Sequence, residues 1–358
     1  MKTPFLFFAI AISVCCTTVM AQNQEYGLKD AYRRYFDIGV ALNLRNVSLS
    51  ADTSLITRNF STVTAENAMK PVSVQPHEGV FCWEGADSIA NFCRRNGIKM
   101  RGHCLCWHNQ FADWMFVDSC GNAASKELFY SRLRNHIHAV VKRYRDVVFA
   151  WDVVNEAIAD GPSTVGCPYR ESRHFNLCGD EFIAKAFVFA READSTALLF
   201  YNDYNAADPA KCSRICNMVE KMKKQGVPID GIGMQGHYNV QYPSVNDVEA
   251  AIERYSRIVD VVHITELDIR TNNEMGGQLE FSKGTTEKAD EELQERHAER
   301  YASLFDAFRR HSDVVKNVTF WNLTDADSWI GADNYPLLFD KNGKTKKAYY
   351  RVRDFRHQ

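Results

Sequence analysis

Residues 125–156, SKELFYSRLRNHIHAVVKRYRDVVFAWDVVNE, are the stretch of sequence that decides the fold of this chain. In their first twenty positions, apolar side chains recur at helical spacing from Leu128 to Val141. Residues 147–156 then form a short run of β-branched and aromatic residues, which is typical of a strand buried on both faces. An amphipathic helix that leads directly into such a strand predicts a parallel sheet covered by helices.

The same alternation of helix and strand patterns extends along the rest of the chain. Strand-like runs occur at Phe36–Leu42, Thr62–Glu66, Lys99–Trp107, Val147–Glu156, Ala197–Asp203, Gly231–His237, Val261–Asp268 and Asn317–Leu323. Helical patterns lie between them at Asp87–Arg95, Ser125–Tyr144, Glu181–Glu192, Ala210–Gln225, Val245–Ile258 and Lys288–Arg310. Eight strand-like runs predict the α/β class and a closed (β/α)8 TIM barrel. An open doubly wound sheet is disfavoured because no glycine-rich nucleotide loop follows the first strand.

Composition narrows the possible classes of protein. The chain has 358 residues, of which 25% are charged, and its formal net charge is -2. Such a balance is that of a globular protein and excludes a disordered or fibrous one. It also argues against a nucleic-acid partner, because that would require clustered Lys and Arg on one face. No linker or second composition interrupts the chain, so we expect one domain.

The N-terminus has the pattern of a secretory signal peptide. A positively charged start precedes an apolar run at Phe5–Val14 and a cleavage site at Val19–Ala21. We therefore predict a signal peptide over residues 1–21, a domain over residues 22–358, and a secreted protein, extracellular or periplasmic. Lipoprotein anchoring through Cys15 is the alternative, although a valine precedes it where a small residue is expected. No stretch is long and apolar enough to predict a membrane span.

Cleavage of that peptide leaves nine of the eleven cysteines, an odd number that cannot all pair. Cys167 and Cys178 bracket a loop and are the candidate disulfide. Cys212 and Cys216 share one face of a predicted helix, but their spacing is poor for a disulfide. The other cysteines are interpreted as small buried hydrophobic residues.

Two glutamates end two strands of the predicted barrel. Glu156 ends the fourth strand, directly after Asn155, and Glu266 ends the seventh, with Asp268 just beyond. The carboxyl ends of barrel strands form the active face in enzymes of this fold. A glutamate among apolar strand residues must be paired, protonated or functional, and one alone is often an ion-pair partner. Two on one face point to paired-carboxylate chemistry, of which glycoside hydrolysis is the leading example.

The other strand ends supply groups that bind sugars. They are TAENAMKP at Thr64–Pro71, GHCLCWHNQ at Gly102–Gln110, NDYN at Asn202–Asn205, MQGH at Met234–His237 and FWNLTDADSW at Phe320–Trp329. Carboxylates, amides and imidazoles hydrogen-bond hydroxyls, and indoles stack on the apolar faces of sugar rings.

Several of these residues also fit a structural role. Residues 103–108 resemble a soft metal cluster, but on a strand His103 and Trp107 point one way while Cys104 and Cys106 point the other. Because the ligands are split, we predict no metal.

Other polar and aromatic residues are left open between structure and function. His108 would either support the site or cap its loop, and Asn202 and Asn205 fit ordinary turns equally well. Trp83 and Trp114 fit the core or the surface as well as a sugar platform.

Taken together, TAENAMKP, WDVVNEA, NDYN, QGH and TELDIR, in this order and spacing, resemble family 10 of the glycoside hydrolases, the secreted endo-β-1,4-xylanases. The resemblance covers about Tyr35 to Tyr350. It implies a TIM barrel, retention of anomeric configuration by double displacement, and no cofactor. Xylan and xylooligosaccharides are the implied partners, with no nucleic acid, and we expect a monomer.

The resemblance also implies roles for individual residues. Glu156 matches the acid/base and Glu266 the nucleophile, which implies carboxyl groups about 5 to 5.5 Å apart and a raised pKa at Glu156. Asn155 matches the residue that hydrogen-bonds the sugar 2-hydroxyl. His237 and Asp268 match a dyad that holds the nucleophile ionised.

The implied substrate-binding residues fall into three groups. His103, Trp107 and Gln235 match residues around the sugar next to the scissile bond. Glu66, Asn67, Lys70 and Gln110 match the next glycone subsite, which Trp321 and Trp329 close. Tyr204 matches an aromatic residue on the leaving-group side.

Three features depart from the family pattern or fall outside it. Asn322 stands where a glycine is common, and Ile330 where an arginine is common, so contacts at the glycone end are affected. The polar segment Thr271–Ala289 follows the nucleophile strand and therefore lies on the active face.

Two alternative functions are weighed. One is a β-1,4-glucanase, disfavoured because Glu66, Asn67, Lys70 and the two indoles crowd the space of a hexose hydroxymethyl group. The other is a non-catalytic glycan-binding barrel, which would need the loss of a catalytic carboxylate.

Overall fold

The computed structural model describes residues 26–161, 167–271 and 290–357. The predicted signal peptide, residues 1–21, lies outside the described residues. So does the polar segment after the seventh predicted strand, apart from Thr271.

Eight parallel strands close into a barrel, as the sequence predicts, and a ninth, short strand adds to its edge. The strands of the described chain are β1 (Asp37–Leu42), β2 (Thr62–Ala65), β3 (Lys99–Trp107), β4 (Val148–Asn155), β5 (Leu198–Asp203), β6 (Gly231–Met234), β7 (His237–Asn239), β8 (Val261–Arg270) and β9 (Val315–Phe320). Neighbours pair in sequence from β1 to β6, β6 pairs with β8, β8 with β9, and β9 returns to β1. Among the described strands, the short β7 pairs with the end of β8 alone.

Helices cover the outside of the barrel. They are α1 (Leu28–Tyr32), α2 (Ser50–Asn59), α3 (Pro71–Val74), α4 (Glu84–Asn96), α5 (Lys126–Tyr144), α6 (Arg173–Cys178), α7 (Glu181–Ala193), α8 (Pro209–Lys224), α9 (Val245–Ser256), α10 (Glu291–Arg310) and α11 (Lys347–Arg353). The six predicted helices correspond to α4, α5, α7, α8, α9 and α10, with ends displaced by at most three residues. Their apolar faces pack on the strands and form one continuous core.

The sixth predicted strand, Gly231–His237, is divided in the structure. β6 ends at Met234 and the chain turns at Gly236, whose φ of +84° is accessible to glycine at little cost. A Cβ at this position would also lie 3.0 Å from Cγ2 of Ile264. The turn offsets His237 onto β7, where it pairs in register with Asp268 of β8.

The inside of the barrel holds a buried charged pair. The Arg101 guanidinium, on β3, donates to both carboxylate oxygens of Asp152 on β4, and its Nη1 lies 2.7 Å from Nδ1 of His263 on β8. All three side chains are buried. A buried charge of this kind needs such partners, because desolvation would otherwise outweigh its interactions.

The candidate disulfide between Cys167 and Cys178 is not formed. Cys178 carries a free thiol and is buried at the end of α6, where it packs within the hydrophobic core. Cys212 and Cys216 are buried thiols on α8, in agreement with the poor spacing for a bridge. Among the described residues, none of the helices has the length and apolar character that crossing a membrane requires.

Candidate active site

A cleft of about 590 Å³ opens at the carboxyl ends of the barrel strands. Fourteen of the fifteen predicted site residues line it, and Asp268 lies directly behind. The lining residues are Glu66, Asn67, Lys70, His103, Trp107, His108, Asn109, Gln110, Asn155, Glu156, Arg170, Tyr204, Gln235, His237, Glu266, Trp321 and Trp329. The strand order therefore brings together side chains that are separated by up to 263 positions in the sequence.

Glu156 follows the last residue of β4 in a left-handed backbone conformation, with a φ of +59°. This conformation is strained for a residue with a Cβ. Two hydrogen bonds hold it in place. The Glu156 amide donates to the Asn202 carbonyl at 2.9 Å, and Nε of Arg170 donates to the Glu156 carbonyl at 3.0 Å. The side chain is thereby directed away from the line of the strand and into the cleft.

Three donors surround the Glu156 carboxyl, whose side chain is 12% exposed. Nε1 of Trp107 donates to Oε2 at 2.8 Å, Nε2 of Gln235 donates to Oε1 at 2.9 Å, and Nδ2 of Asn155 lies 3.2 Å from Oε1. Burial nevertheless raises the pKa of Glu156, and the negative charge of the Asp203 carboxylate raises it further. The hydrogen bonds from Gln235 and Trp107 lower this pKa without cancelling the rise. Glu156 is thus poised to act as an acid.

Glu266 lies on β8 with its carboxylate between an amide and an imidazole. Nδ2 of Asn202 donates to Oε1 at 2.8 Å, and Nε2 of His237 lies 3.2 Å from Oε2. On its other side, Nδ1 of His237 lies 2.9 Å from Oδ2 of Asp268. Asp268 is fully buried and also accepts from Nε1 of Trp329 at 2.8 Å.

These contacts shift the pKa values of the two glutamates in opposite directions. Burial by itself raises the pKa of Glu266, but the hydrogen bond from His237 and the nearby histidines outweigh it and leave the pKa lowered. Burial by itself lowers the pKa of His237, but the charge of Asp268 prevails and raises it to about 10. His237 is therefore a cation at neutral pH and donates from both ring nitrogens. The pKa of Glu266 is lowered while that of Glu156 is raised, which is the division expected from the sequence.

Asn202, which the sequence left open as a turn residue, lies buried near the end of β5 beside the Glu266 carboxylate. Its Nδ2 donates to Oδ1 of Asn155 at 2.9 Å as well as to Glu266. Its Oδ1 accepts from Oγ1 of Thr265 at 2.6 Å. The amide of Asn202 thus links the residue before Glu156 to Glu266. The only sequence signal was its position at a strand end.

Charged and aromatic residues form the predicted glycone end of the cleft. Nζ of Lys70 donates to Oδ1 of Asn67 at 2.8 Å and lies 4.9 Å from the centroid of the Trp107 ring. Burial raises the pKa of Glu66 even though the charge of Lys70 opposes the rise. The indole of Trp329 is 38% exposed, which leaves an apolar surface at this end of the cleft.

Asn322 accounts for part of the shape of this end. It is buried with a φ of +92°, and its Oδ1 accepts from the backbone amide of Trp329 at 3.2 Å. The departure from the glycine of the family pattern therefore fastens the loop that carries the exposed indole.

His103 is held from below by the charged pair inside the barrel. Its Nδ1 lies 3.0 Å from Oδ2 of Asp152, the carboxylate that also pairs with Arg101. Both His103 and Asp152 are buried. This contact fixes the orientation of the ring at the floor of the cleft.

A polar network forms the opposite end of the cleft. The hydroxyl of Tyr204 donates to Oδ2 of Asp160 and accepts from Nη2 of Arg170 at 2.6 Å. Nζ of Lys211 lies 3.7 Å from the centroid of the Tyr204 ring and donates to Oδ1 of Asp160 at 2.8 Å. Nδ1 of His108 lies 3.9 Å from Oε2 of Glu156.

Burial lowers the pKa of His108 to about 4, so its imidazole is neutral at neutral pH. Arg170 and Asn109 also line the cleft, although neither was predicted as a site residue from the sequence. Arg170 carried no signal because its partners at Glu156 and Tyr204 are 14 and 34 positions away in a loop-rich region.

The two indoles that were left open, those of Trp83 and Trp114, have structural contacts. The ring of Trp83 stacks on Phe81 with centroids 4.7 Å apart, and Nε1 of Trp114 donates to the Gln75 carbonyl at 3.1 Å. Neither indole lines the cleft.

The supposed metal cluster at residues 103–108 is divided as well. Cys104 and Cys106 are buried and do not line the cleft, whereas His103 and His108 do. Within the part of the chain that the structure describes, no group of three or more His, Cys, Asp or Glu side chains is arranged to hold a metal ion.

The geometry provides a carboxyl with a raised pKa and a carboxyl with a lowered pKa in one cleft between polar and indole surfaces. A substrate that spans the cleft would have a proton donor on one side of a bond and a nucleophile on the other. Such a pair is suited to acid-assisted displacement at an acetal carbon.

Comparison with known proteins gives matches over nearly the whole chain. The family model described as glycosyl hydrolase family 10 matches residues 27–355. A protein of Xylanibacter ruminicola named endo-1,4-beta-xylanase/feruloyl esterase is 60% identical over 338 residues, which cover 92% of this chain and 47% of that protein. Endo-1,4-beta-xylanase B of Paenibacillus barcinonensis is 40% identical over 331 residues, which cover 91% of this chain and 97% of that protein. The chain therefore spans about half the length of the first relative and nearly all of the second.

Solved structures agree with these matches. A psychrophilic glycoside hydrolase family 10 endo-beta-1,4-xylanase is 54% identical, with a TM-score of 0.87 over 92% of this chain and 99% of that one. Xylanase XynB from Paenibacillus barcinonensis, solved with a conduramine derivative, is 39% identical, with a TM-score of 0.84 over 91% of this chain and 97% of that one.

Proposed function

The chain belongs to glycosyl hydrolase family 10, and from this premise we propose that it hydrolyses internal β-1,4-xylosidic bonds of xylan with retention of anomeric configuration. The observation that carries the proposal is that the pKa values of two carboxyls in one cleft are shifted in opposite directions. The pKa of Glu156 is raised and that of Glu266 is lowered. This is the pairing that double displacement requires, because one carboxyl must give a proton while the other attacks.

The reaction has two steps. In the first, the Glu266 carboxylate attacks the anomeric carbon while Glu156 protonates the glycosidic oxygen, so that the C–O bond breaks and a glycosyl ester forms. In the second, Glu156, now ionised, removes a proton from water, and the water oxygen attacks the same carbon. The ester bond breaks, Glu266 leaves as a carboxylate, and Glu156 is protonated again.

The surrounding residues support each role. His237 donates to Glu266 and keeps it ionised, and Asp268 holds that imidazolium in place. Asn155 is proposed to bind the 2-hydroxyl of the sugar under attack, an interaction that strengthens in the transition state. Asn202 supports both residues, because it donates to Asn155 and to Glu266.

Xylan and xylooligosaccharides are the proposed substrates. Glu66, Asn67 and Lys70 are proposed to bind the glycone sugars with Gln110, Gln235, His103 and the indoles of Trp107, Trp321 and Trp329. Tyr204 is proposed to face the leaving group. The pairing of Lys70 with Asn67 and with the Trp107 ring supports a filled glycone end, which favours a pentose over a hexose. A glucanase is therefore not favoured.

A domain over residues 22–358 is proposed to act outside the cytoplasm as a monomer after removal of residues 1–21. The apolar run near the start of the chain supports the export step.

The proposal is tested by following the anomeric signals of xylooligosaccharide products by NMR. Wild type should release the β anomer first. Glu266→Ala and Glu156→Ala should both lose cleavage of xylooligosaccharides, and Glu253→Ala, which removes an exposed helix carboxylate, should not. First release of the α anomer, or full activity of Glu266→Ala, would overturn the retaining mechanism. Equal rates on xylan and carboxymethyl-cellulose would overturn the substrate.

A further inference from the structure

The backbone around Glu156 needs an external support. Its left-handed φ of +59° ends β4 abruptly, and the following residues leave the barrel as a loop. The carboxyl belongs to this strained residue, so a small change in the φ of Glu156 would move its carboxyl away from the glycosidic oxygen. Groups that bind the backbone carbonyl of Glu156 therefore control the direction in which its carboxyl points.

Arg170 holds this backbone twice. Its own amide donates to the carbonyl of Ala157 at 2.7 Å, and its Nε donates to the carbonyl of Glu156 at 3.0 Å. The neighbouring residues Ile158 and Tyr169 form an antiparallel bridge, which sets the two arms of the loop side by side. Two consecutive carbonyls after β4 are thus bound by one residue.

The guanidinium is itself fixed from the leaving-group side of the cleft. Its Nη2 donates to the hydroxyl of Tyr204 at 2.6 Å and lies 3.3 Å from Oδ2 of Asp160. Asp160 accepts from Nζ of Lys211 at 2.8 Å, and this ammonium lies 2.9 Å from Oδ1 of the buried Asp203. The planar guanidinium of Arg170 therefore connects the Glu156 carbonyl to a network of charged side chains on β5 and α8.

We propose that Arg170 is a positioning residue that aims the Glu156 carboxyl by clamping the Glu156 carbonyl against the Tyr204 and Asp160 side chains. The proposal rests on the acid/base role of Glu156 proposed above. It predicts that loss of the clamp harms proton transfer more than binding or nucleophilic attack, because Glu266 has no contact with this network among the hydrogen bonds of the described residues.

The test measures how kcat/KM depends on the acidity of the leaving group. Phenyl β-xylobioside needs a proton from Glu156 for its phenolate to depart, whereas 2,4-dinitrophenyl β-xylobioside releases a stable anion unaided. General acid catalysis is worth about 10²–10⁴-fold in rate. We expect Arg170→Met to lower kcat/KM for the phenyl substrate by about 10–100-fold, a partial loss of that factor, and for the dinitrophenyl substrate by less than about 3-fold.

The comparison includes two further variants. Arg170→Lys keeps the charge but offers a single point donor, so it should recover part of the phenyl activity. Arg191→Met is the matched control, because Arg191 also binds a carbonyl, that of Ala197, and an aspartate, Asp230. The side chains of Arg191 and Arg170 are 26% and 23% exposed, but Arg191 lies at the opposite end of the barrel, beside the start of β5.

The ratio of the two kcat/KM values for one variant does not depend on how much of the protein is folded. A ratio for Arg170→Met that equals the wild-type ratio would therefore overturn the positioning role, whatever the loss in activity. A rise in the dinitrophenyl-to-phenyl ratio for Arg170→Met, but not for Arg191→Met, would support it. If wild type cleaves neither xylobioside, the proposed function itself fails and the positioning role falls with it.

Discussion

The indole of Trp107 is expected to set the pH at which the acid Glu156 loses its proton. Its Nε1 donates to Oε2 of Glu156 at 2.8 Å, and an indole can only donate. The hydrogen bond therefore favours the ionised carboxylate over the protonated acid and lowers the pKa of Glu156. Trp107→Phe removes this donor but keeps an aromatic ring in the cleft.

The size of the expected pKa shift follows from the difference between a hydrogen bond to a charged acceptor and one to a neutral acceptor. A hydrogen bond to a charged group contributes about 1.5–3 kcal/mol, and one between neutral groups about 0.5–1.5 kcal/mol. The ionised form of Glu156 thus gains roughly 1–1.5 kcal/mol more from the indole than the protonated form does. Since one pKa unit corresponds to about 1.36 kcal/mol, the pKa of Glu156 should rise by about one unit in Trp107→Phe.

The assay is the pH profile of kcat/KM with phenyl β-xylobioside, whose basic limb reports the proton donor of the free enzyme. Trp107→Phe should move this limb about one unit toward higher pH, because a weaker acid stays protonated longer. Trp114→Phe is the matched control, since its indole donates to the neutral carbonyl of Gln75, outside the cleft. A basic limb that stays in place or moves to lower pH in Trp107→Phe would refute the reasoning.

Two further predictions concern stability. The pKa of His237 is raised from 6.5 to about 10 in the folded protein, so its charge stabilises the fold fully below pH 6.5 and loses this effect as pH approaches 10. The difference in free energy of unfolding between wild type and His237→Gln, measured by urea titration, should fall over that interval, and a constant difference would contradict the linkage. Asn202→Leu removes the amide that contacts Asn155, Glu266 and Thr265. Asn155 keeps Gln235 and Glu266 keeps His237, so Oε1 of Glu266 and the Thr265 hydroxyl lose most, at about 1–3 kcal/mol for each before relaxation. We expect the free energy of unfolding, measured by urea titration, to fall by about 3 kcal/mol. A fall of less than about 0.5 kcal/mol would show that the hydrogen bonds of this amide do not stabilise the fold.

The barrel was predictable because its signals are local and repeated. A helix such as α5 shows its buried face every three to four residues, and a strand such as β4 is apolar at all but two of its eight positions, Asp152 and Asn155. Each unit repeats the same physical requirement, which is to cover a strand buried on both faces. The division at Gly236 was missed, because a single glycine in an apolar run does not reveal its φ.

The candidate site was predictable to the extent that its residues end strands. Glu156 and Glu266 stand out since a carboxylate among apolar residues needs a reason to be there. Asn202 and Arg170 gave no comparable signal. Asparagine is common in turns, and an arginine in a loop is ordinarily exposed to solvent. Their contacts with Glu266 and with the Glu156 carbonyl exist only once the barrel has closed and the loop after β4 has folded back.

The sequence by itself determined the eight strands, six of the helices that cover them, the family and the identity of the two glutamates. These depend on hydrophobic period and on residue types at strand ends, both of which are written in consecutive residues. Only the tertiary structure decided which groups raise the pKa of Glu156 and lower that of Glu266. A pKa depends on burial and on charges within a few ångströms, and Asp203, His237 and Asp268 come close to the two carboxyls only when the barrel closes.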